Sequence, residues 1–370
     1  MKKVLLMLGV IIFSGNAYSQ VVWNDNFDAL TNGNLGTDIT GSIAGQNGWL
    51  TIAETTATNS ASSNFQIATI DAAHGKSVQI TGSNGITGTK AVFKNDVATA
   101  WTNRTTGNNV IQLEFDFYTG AATNSTNQSR AYINNVTGTG TTAVTKNLVG
   151  FTYKHSTKTP GILFYMDPCT VLGGNYCTAT PPYTPGNYTL SFNDSTGAAI
   201  TLNNNEWVKV GLAYNYTTGY VDFKVIRALD GTVILDETIQ GAAPTANISS
   251  TFLAVAARTA ATETVNTLAS VATFDNVKHS IVSTSNLLGT KDNSILKNTN
   301  LKLFPNPTSD ILNIKTDSKI NSVSVVDLTG RKVNVKLEGD KVDVRSLPVG
   351  TYLINVETKD GISTEKFIKK

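Results

Sequence analysis

The stretch VIQLEFDFY, Val110–Tyr118, alternates apolar and polar side chains without a break. Successive side chains of a β-strand point to opposite faces of a sheet, so this period of two predicts a strand with one buried face. About twelve strand-like runs lie between residues 21 and 282, and no convincing helical period accompanies them. The runs are Phe65–Ile70, Ser77–Ile80, Val110–Tyr118, Arg130–Val136, Leu148–Lys154, Ile162–Met166, Tyr188–Phe192, Trp207–Tyr216, Tyr220–Arg227, Thr232–Glu237, Thr251–Ala257 and Val271–His279. They predict an all-β body of two facing antiparallel sheets, a jelly roll.

The composition excludes several classes of protein. Only 15% of the 370 residues are charged, well below the ~25% that is usual in soluble proteins. The hydrophobic fraction of 40% allows a sizeable core and argues against a disordered chain. The net charge of +2 argues against a nucleic-acid partner, which needs a concentrated basic stripe. Three His and two Cys are too few for a zinc site built in one place.

Residues 1–19 have the features of a secretory signal peptide. A basic start of two lysines is followed by the apolar run Val4–Phe13 and by Ala17-Tyr18-Ser19, which has the small-x-small form of a cleavage site. A helix that spans a bilayer needs ~20 apolar residues, so this run is too short for an anchor. We expect the mature chain to begin at Gln20 and to contain no transmembrane segment.

Export fixes how the two cysteines are interpreted. Cys169 and Cys177 flank a Gly-Gly loop in the segment DPCTVLGGNYC. In an oxidising compartment such an isolated pair is most simply a disulfide, and two free thiols are the alternative.

The density of charged residues divides the chain. Residues 21–298 carry 15 basic and 18 acidic residues, whereas the shorter segment 299–370 carries 12 basic and 9 acidic residues. A shift of this kind marks a domain boundary. We therefore predict a body over 20–282, a polar linker over 283–300 and a tail over 301–370.

The tail has short runs of period two separated by turn signals, which predict a small Ig-like β-sandwich. Three motifs and a basic end, KFIKK, follow one another in order: LFPNPTSDILNI (Leu303–Ile314), SVVDLTGRKV (Ser324–Val333) and LPVGTYLINV (Leu347–Val356). Together they resemble the C-terminal sorting domain of type IX secretion in Bacteroidetes, although Phe304 stands where many members have Tyr.

The resemblance implies that the outer-membrane type IX machinery is a partner. It also implies possible removal of the tail, with a protein that is secreted or attached to the outer-membrane surface. An ordinary Ig-like binding module is the alternative.

The body carries a second resemblance. It opens with WNDNFD (Trp23–Asp28), contains QNGW (Gln46–Trp49) and closes with ATFDNVKH (Ala272–His279). Secreted laminin-G-like or concanavalin-A-like sandwiches are similar to this pattern, and their first and last strands are expected to pair. Asp28 and Asp275 could then share a structural calcium ion with backbone carbonyls, since calcium takes hard oxygen ligands. The alternative is that both carboxylates cap strand ends in solvent.

Glu114 and Asp116 are neighbours on the polar side of one strand. They resemble the start of the ExDxxE signature of laminarinase-like glycoside hydrolases. Retaining hydrolysis needs a second carboxyl group, and the chain has Tyr118 and Thr119 where it is expected. The pattern therefore does not predict a hydrolase.

Polysaccharide lyase activity is the enzymatic alternative, with β-elimination on an anionic polysaccharide. Such a reaction needs a cation to neutralise the uronate carboxylate and a group that moves the proton. Arg130, Tyr153 and His155 are the candidates for these roles. Arg130 shares a strand face with Tyr132, whereas Tyr153 and His155 share another face.

Binding without turnover is the main functional hypothesis, as glycan binding or surface adhesion, with a polysaccharide or a cell-surface glycan as the ligand. Tyr176, Tyr183 and Tyr188 cluster near the predicted disulfide loop among several prolines. Aromatic rings stack on sugar faces, so these tyrosines are candidate ligand-binding residues. Local packing of Tyr against Pro is the alternative, and the sequence leaves open whether the body is a binder or an enzyme.

Overall fold

The computed structural model describes residues 19–137, 143–166, 185–241, 247–258, 266–288, 301–316, 319–327, 332–358 and 361–370. Several predictions lie outside these residues: most of the signal peptide, the disulfide of Cys169 with Cys177, the tyrosines Tyr176 and Tyr183, and linker residues 289–300. The chain forms two compact units, Met1–Leu288 and Gly289–Lys370. No helix in the described ranges has the length and hydropathy needed to cross a bilayer.

The described part of the body contains sixteen strands, a short helix α1 (Val97–Thr102) and two 3-10 turns (Gln46–Gly48 and Ser62–Asn64). The strands are β1 (Gln20–Asp25), β2 (Gly33–Asn34), β3 (Leu50–Ala53), β4 (Phe65–Thr69), β5 (Lys76–Thr81), β6 (Thr89–Lys94), β7 (Val110–Tyr118), β8 (Gln128–Thr137), β9 (Val144–Lys154), β10 (Thr159–Met166), β11 (Gly186–Ser191), β12 (Trp207–Asn215), β13 (Tyr220–Arg227), β14 (Val233–Gln240), β15 (Ser250–Ala256) and β16 (Val271–Val282). The predicted all-β architecture is confirmed.

The strands form two antiparallel sheets. Sheet A has the order β14-β13-β12-β7-β16-β5-β4-β2, and β1 pairs with β16 beside this path. Sheet B has the order β11-β10-β9-β8-β15-β6-β3. The first and last strands of the body are neighbours, as expected, with Gln20 opposite Ile281 and Asp25 opposite Val277.

The core lies between the two sheets and follows from the alternation of β7. Its apolar side chains are buried, and Phe117 makes ring contacts with Phe151, Tyr153 and Phe274. Phe151 and Tyr153 come from β9 of sheet B, so these rings join the two layers. The polar side chains of β7 therefore lie on the outer face of sheet A.

Residues 283–288 fold back over the outer face of sheet A, and we call them the strap. Leu287 packs on Val110 and Ala213, and the backbone amide of Leu288 donates to Glu114 Oε1 at 2.6 Å. The strap lies in the first unit, so the segment predicted as a linker begins with residues that are packed on the body.

The tail is a separate all-β unit with eight strands in its described residues: β17 (Lys302–Phe304), β18 (Ile311–Lys315), β19 (Ile320–Asp327), β20 (Lys332–Val333), β21 (Lys336–Glu338), β22 (Lys341–Asp343), β23 (Gly350–Thr358) and β24 (Gly361–Lys369). They form two four-stranded sheets around a core of their own. Asn306 accepts a hydrogen bond from the Ile368 amide at 2.9 Å and donates to the Lys366 carbonyl at 3.0 Å. The FPNP motif is thus bonded to the last strand.

Candidate functional site

The outer face of sheet B is formed by alternate residues of β8 and its neighbours. Ala131 and Ile133 of β8 are fully buried in the core, so Arg130 and Tyr132 point away from it. Both outward side chains are half-buried rather than fully exposed. Arg130 lies opposite Ala254 of β15, and Tyr132 lies opposite Phe252. We call this surface the sheet B face.

Aromatic rings form a row across the sheet B face. The ring of Tyr132 stacks on Phe252 with centroids 5.5 Å apart and an interplanar angle of 24°. Phe252 in turn contacts Phe93 of β6 at 4.8 Å. Gly150 lies opposite Tyr132, and a Cβ there would be 2.6 Å from the Tyr132 Cβ, so the glycine gives the tyrosine room. The three rings form a continuous aromatic strip on this face, next to a row of smaller apolar side chains, Ile52, Ala91 and Ala254.

Polar groups with unused hydrogen-bonding capacity flank this strip. Arg130 donates from Nη2 to Gln128 Oε1 at 3.0 Å, but its buried Nε has no acceptor among the described residues. Asn134 is 4% exposed, and its Oδ1 likewise has no donor in the described ranges. Burial raises the pKa of Tyr132 to about 12, so its hydroxyl is protonated at neutral pH.

The structure does not bring the three lyase candidates together. Tyr153 is 1% exposed and packs on Phe117 in the core, on the opposite side of sheet B from Arg130. His155 is also buried, and its Nε2 lies 2.7 Å from the Ser129 hydroxyl. Burial lowers the pKa of His155 to about 4, so the imidazole is neutral at pH 7. The faces follow the predicted alternation, but Tyr153 and His155 are on the face that forms the core.

Tyr188 is the one described member of the three candidate ligand-binding tyrosines. It lies on β11, opposite Phe164, and the two ring centroids are 6.4 Å apart. The side chain is partly buried against the core of the body. Tyr188 therefore packs toward the interior rather than lying on the sheet B face.

The outer face of sheet A carries the two carboxylates that resembled a hydrolase motif. Glu114 pairs with Lys278 at 3.2 Å, and Asp116 pairs with Lys209 at 3.1 Å. Asp116 also accepts a hydrogen bond from Asn276 Nδ2 at 2.9 Å. Both groups are thus held by cations and amides of the neighbouring strands.

The two candidate calcium ligands lie on this side of the body. Asp275 is 1% exposed, and burial raises its pKa to about 7, with the carboxylates of Asp116, Asp28 and Asp71 adding to the shift. Ser77 precedes Val78, which pairs with Phe274 across the sheet. The side chain of Ser77 is fully buried, and its hydroxyl has no hydrogen-bond partner among the described residues. Asp28 is exposed, and its Oδ1 accepts a hydrogen bond from the Lys76 amide at 2.9 Å. In the described residues no three His, Cys, Asp or Glu side chains form a metal cluster, so calcium would also need backbone carbonyls.

The tail matches a known family. Residues 302–370 match the family described as the secretion system C-terminal sorting domain. The tail is a type IX secretion sorting domain. The prediction from the three tail motifs is therefore confirmed, and a chain with this sorting domain is secreted or attached to the cell surface.

The whole chain was also compared with curated proteins and with solved structures. No curated protein matches it. Lectin II from Ulex europaeus is 10% identical with a TM-score of 0.35, and the match covers 65% of this chain and 94% of that one. Alginate lyase Aly36B in complex with an alginate tetrasaccharide is 13% identical with a TM-score of 0.37, covering 69% and 95%. Alginate lyase vAL-1 from Chlorella virus is 10% identical with a TM-score of 0.34, covering 59% and 88%.

Phe93, Phe252 and Asn134 were not among the predicted site residues. Phe93 and Phe252 are apolar side chains on the outer side of a sheet, where the sequence pattern alone assigns them to the core. Knowledge of the strand register could have found them, because Phe252 of β15 lies directly opposite Tyr132 of β8 and Phe93 of β6.

Proposed function

We propose that the body is a glycan-binding module and that the sheet B face is its binding surface. The sorting tail delivers this module to the outside of the cell, where polysaccharides and cell-surface glycans are accessible. The observation that carries the proposal is the row of Phe93, Phe252 and Tyr132 beside polar groups with unused hydrogen-bonding capacity.

The chemistry of this row suits a sugar chain. An aromatic ring offers a flat apolar surface for the C–H face of a pyranose, and neighbouring polar groups fix its hydroxyls. Tyr132 supplies both, since its hydroxyl forms no hydrogen bond within the described ranges.

A lyase on an anionic polysaccharide has less support. Elimination needs a base that is unprotonated near neutral pH. Tyr132 has its pKa raised to about 12, while Tyr153 and His155 face the core. Of the three lyase candidates, only Arg130 lies on the described part of the sheet B face, where it could bind an anion but would not remove the proton.

The test is retention of the purified protein on a glycan array, with variants of the aromatic row. Tyr132→Ala and Phe252→Ala should each weaken binding by about tenfold or more, because each removes a stacking surface. Tyr220→Ala is the matched control, since Tyr220 is an exposed tyrosine on sheet A. Equal loss in all three variants, or no retention of the wild type on any glycan, would contradict the proposal. Appearance of unsaturated products that absorb in the ultraviolet would favour the lyase instead.

A further inference from the structure

Cations on the outer face of sheet A are paired with carboxylates. Lys209 lies 3.1 Å from Asp116, Lys278 lies 3.2 Å from Glu114, and Lys224 of β13 lies 2.8 Å from Asp236 of β14. Each pair joins neighbouring strands. Cross-strand pairing of opposite charges is the ordinary way in which a sheet surface balances its charges.

The sheet B face differs in this respect. Arg130 has one side-chain hydrogen bond, to the neutral amide of Gln128, and no ion pair among the described residues. Arg258 supplies a second guanidinium. It lies two residues beyond Ala256, and Ala256 pairs with Gln128 on the neighbouring strand β8. Arg258 is exposed and likewise has no ion pair within the described ranges. Two guanidinium groups therefore face the same part of sheet B.

The charges of these two arginines act on each other. Burial and the nearby charge of Arg258 lower the pKa of Arg130 to about 10, which still leaves it fully charged at neutral pH. The charge of Glu54 acts in the opposite direction and raises the pKa of Arg130, although Glu54 forms no ion pair with either arginine within the described ranges. Keeping a half-buried guanidinium beside a like charge is unfavourable unless an anion joins them.

We infer that the glycan bound on the sheet B face is anionic and that Arg130, assisted by Arg258, binds its carboxylate or sulfate groups. This inference rests on the proposed function, because it names the class of ligand for the same surface. The Arg130 guanidinium is only half-buried, and its Nη2 is bonded to a neutral amide oxygen. A planar oxyanion would bind the accessible part of this guanidinium, while the sugar ring packs beside Tyr132 two residues along the strand.

Carboxylates and sulfate esters share the chemistry that Arg130 would recognise, so the experiment includes both. The mature full-length protein is titrated calorimetrically with polygalacturonate, with a sulfated galactan and with laminarin, a neutral glucan. Binding of one or both anionic polymers, at least tenfold tighter than binding of laminarin, is expected. The affinity for the anionic polymer should fall as NaCl is raised, since a partly exposed ion pair is screened.

Variants assign the effect to the two arginines. Arg130→Gln should lower the affinity for the anionic polymer about tenfold or more, and Arg258→Gln should lower it less, because Arg258 is exposed. Lys224→Gln removes one positive charge from sheet A and should leave the affinity unchanged. If Arg130→Gln fails to fold, Arg258→Gln and the salt titration decide the matter.

Three outcomes separate this inference from the proposed function. If laminarin binds as tightly as the anionic polymers and Tyr132→Ala weakens that binding, the inference is wrong but the proposed function stands. Equal loss of affinity in Arg258→Gln and Lys224→Gln would also overturn it, because the effect would then be one of net charge. Failure of all polymers on the array and in the titrations would overturn both.

Discussion

The backbone of Gly211 lies directly beneath the side chain of Leu287. A Cβ at position 211 would be 3.0 Å from the Leu287 Cβ and 3.1 Å from the Leu288 Cγ. The glycine on β12 therefore lets the strap approach the outer face of sheet A. Without the strap, the apolar patch of Val110 and Ala213 would be exposed.

We predict that Gly211→Val destabilises the body by about 1–3 kcal/mol, because the added methyl groups displace the strap. Leu287→Ala should cost about 2 kcal/mol through the lost burial. Urea denaturation measures both. Leu229→Ala is the control, since Leu229 is 90% exposed. If the Gly211 and Leu287 variants have the same urea midpoint as this control, the strap contributes nothing to the stability of the body.

Acid should destabilise the body through two buried histidines. Burial lowers the pKa of His155 to about 4 and that of His279 to about 3, whereas the unfolded chain takes up these protons near pH 6.5. Between pH 6.5 and 4 these two imidazoles therefore take up protons mainly in the unfolded chain, so their contribution to stability falls as the pH falls. Asp275, whose pKa is raised to about 7, acts in the opposite direction over this range. The loss from His155 is on the order of 3 kcal/mol once pH 4 is reached.

His155→Gln tests this assignment because glutamine does not titrate. The free energy of unfolding of the variant should depend less steeply on pH between 6.5 and 4 than that of the wild type, by about one proton. At pH 8 both proteins are neutral at this position, which provides the internal reference. An unchanged slope would assign the acid sensitivity to other groups.

Calcium binding at Asp28 and Asp275 remains a prediction. If the ion binds there, millimolar CaCl2 raises the Tm of the wild type, and EDTA reverses the rise. Asp275→Asn should remove this response, while Asp236→Asn, a change of equal charge on the exposed strand β14, should keep it. Magnesium should act more weakly, since it prefers a smaller octahedral shell. A calcium shift that survives in Asp275→Asn places the ion elsewhere.

Export should depend on the tail but folding of the body should not. A chain that ends at Leu288 retains the strap and both sheets, so its body should melt at the same temperature as the body of the full chain. In the producing cell it should accumulate inside the outer membrane because it lacks the sorting domain. Leu229→Ala, at a position of the body that is 90% exposed, serves as the export control. Normal secretion of the truncated chain would contradict the role of the tail.

Much of the fold follows from periodicity. The twelve predicted runs correspond to β4, β5 and β7–β16, because long strands with one core face alternate clearly. Strands β1, β2, β3 and β6 are not among these runs, although the resemblance predicted a first strand beside the last one. In β6, Thr89–Lys94, the side chain of Lys90 points inward and bonds Asn64 Oδ1 at 3.0 Å, while Phe93 lies on the outer side against Gly41. This reverses the usual pattern of polar and apolar positions.

The site was predicted only in part, again for a physical reason. Alternation placed Arg130 with Tyr132 and placed Tyr153 with His155, but it did not say which pair faces the core. His155 is accommodated inside by its contact with the Ser129 hydroxyl, and a buried hydrogen bond of this kind leaves no mark in the sequence pattern. The stacking of Phe252 on Tyr132 depends on the pairing of distant strands, which periodicity does not report.

The pairing of β1 with β16 places Gln20 directly across from Ile281. The first and last strands of the two-sheet body therefore lie side by side in sheet A, before the chain continues into the strap. Such an arrangement makes the stretch between these two positions a replaceable cassette. A different sandwich with adjoining ends could be joined to the same tail, and its own recognition surface would be displayed without redesign of the sorting domain.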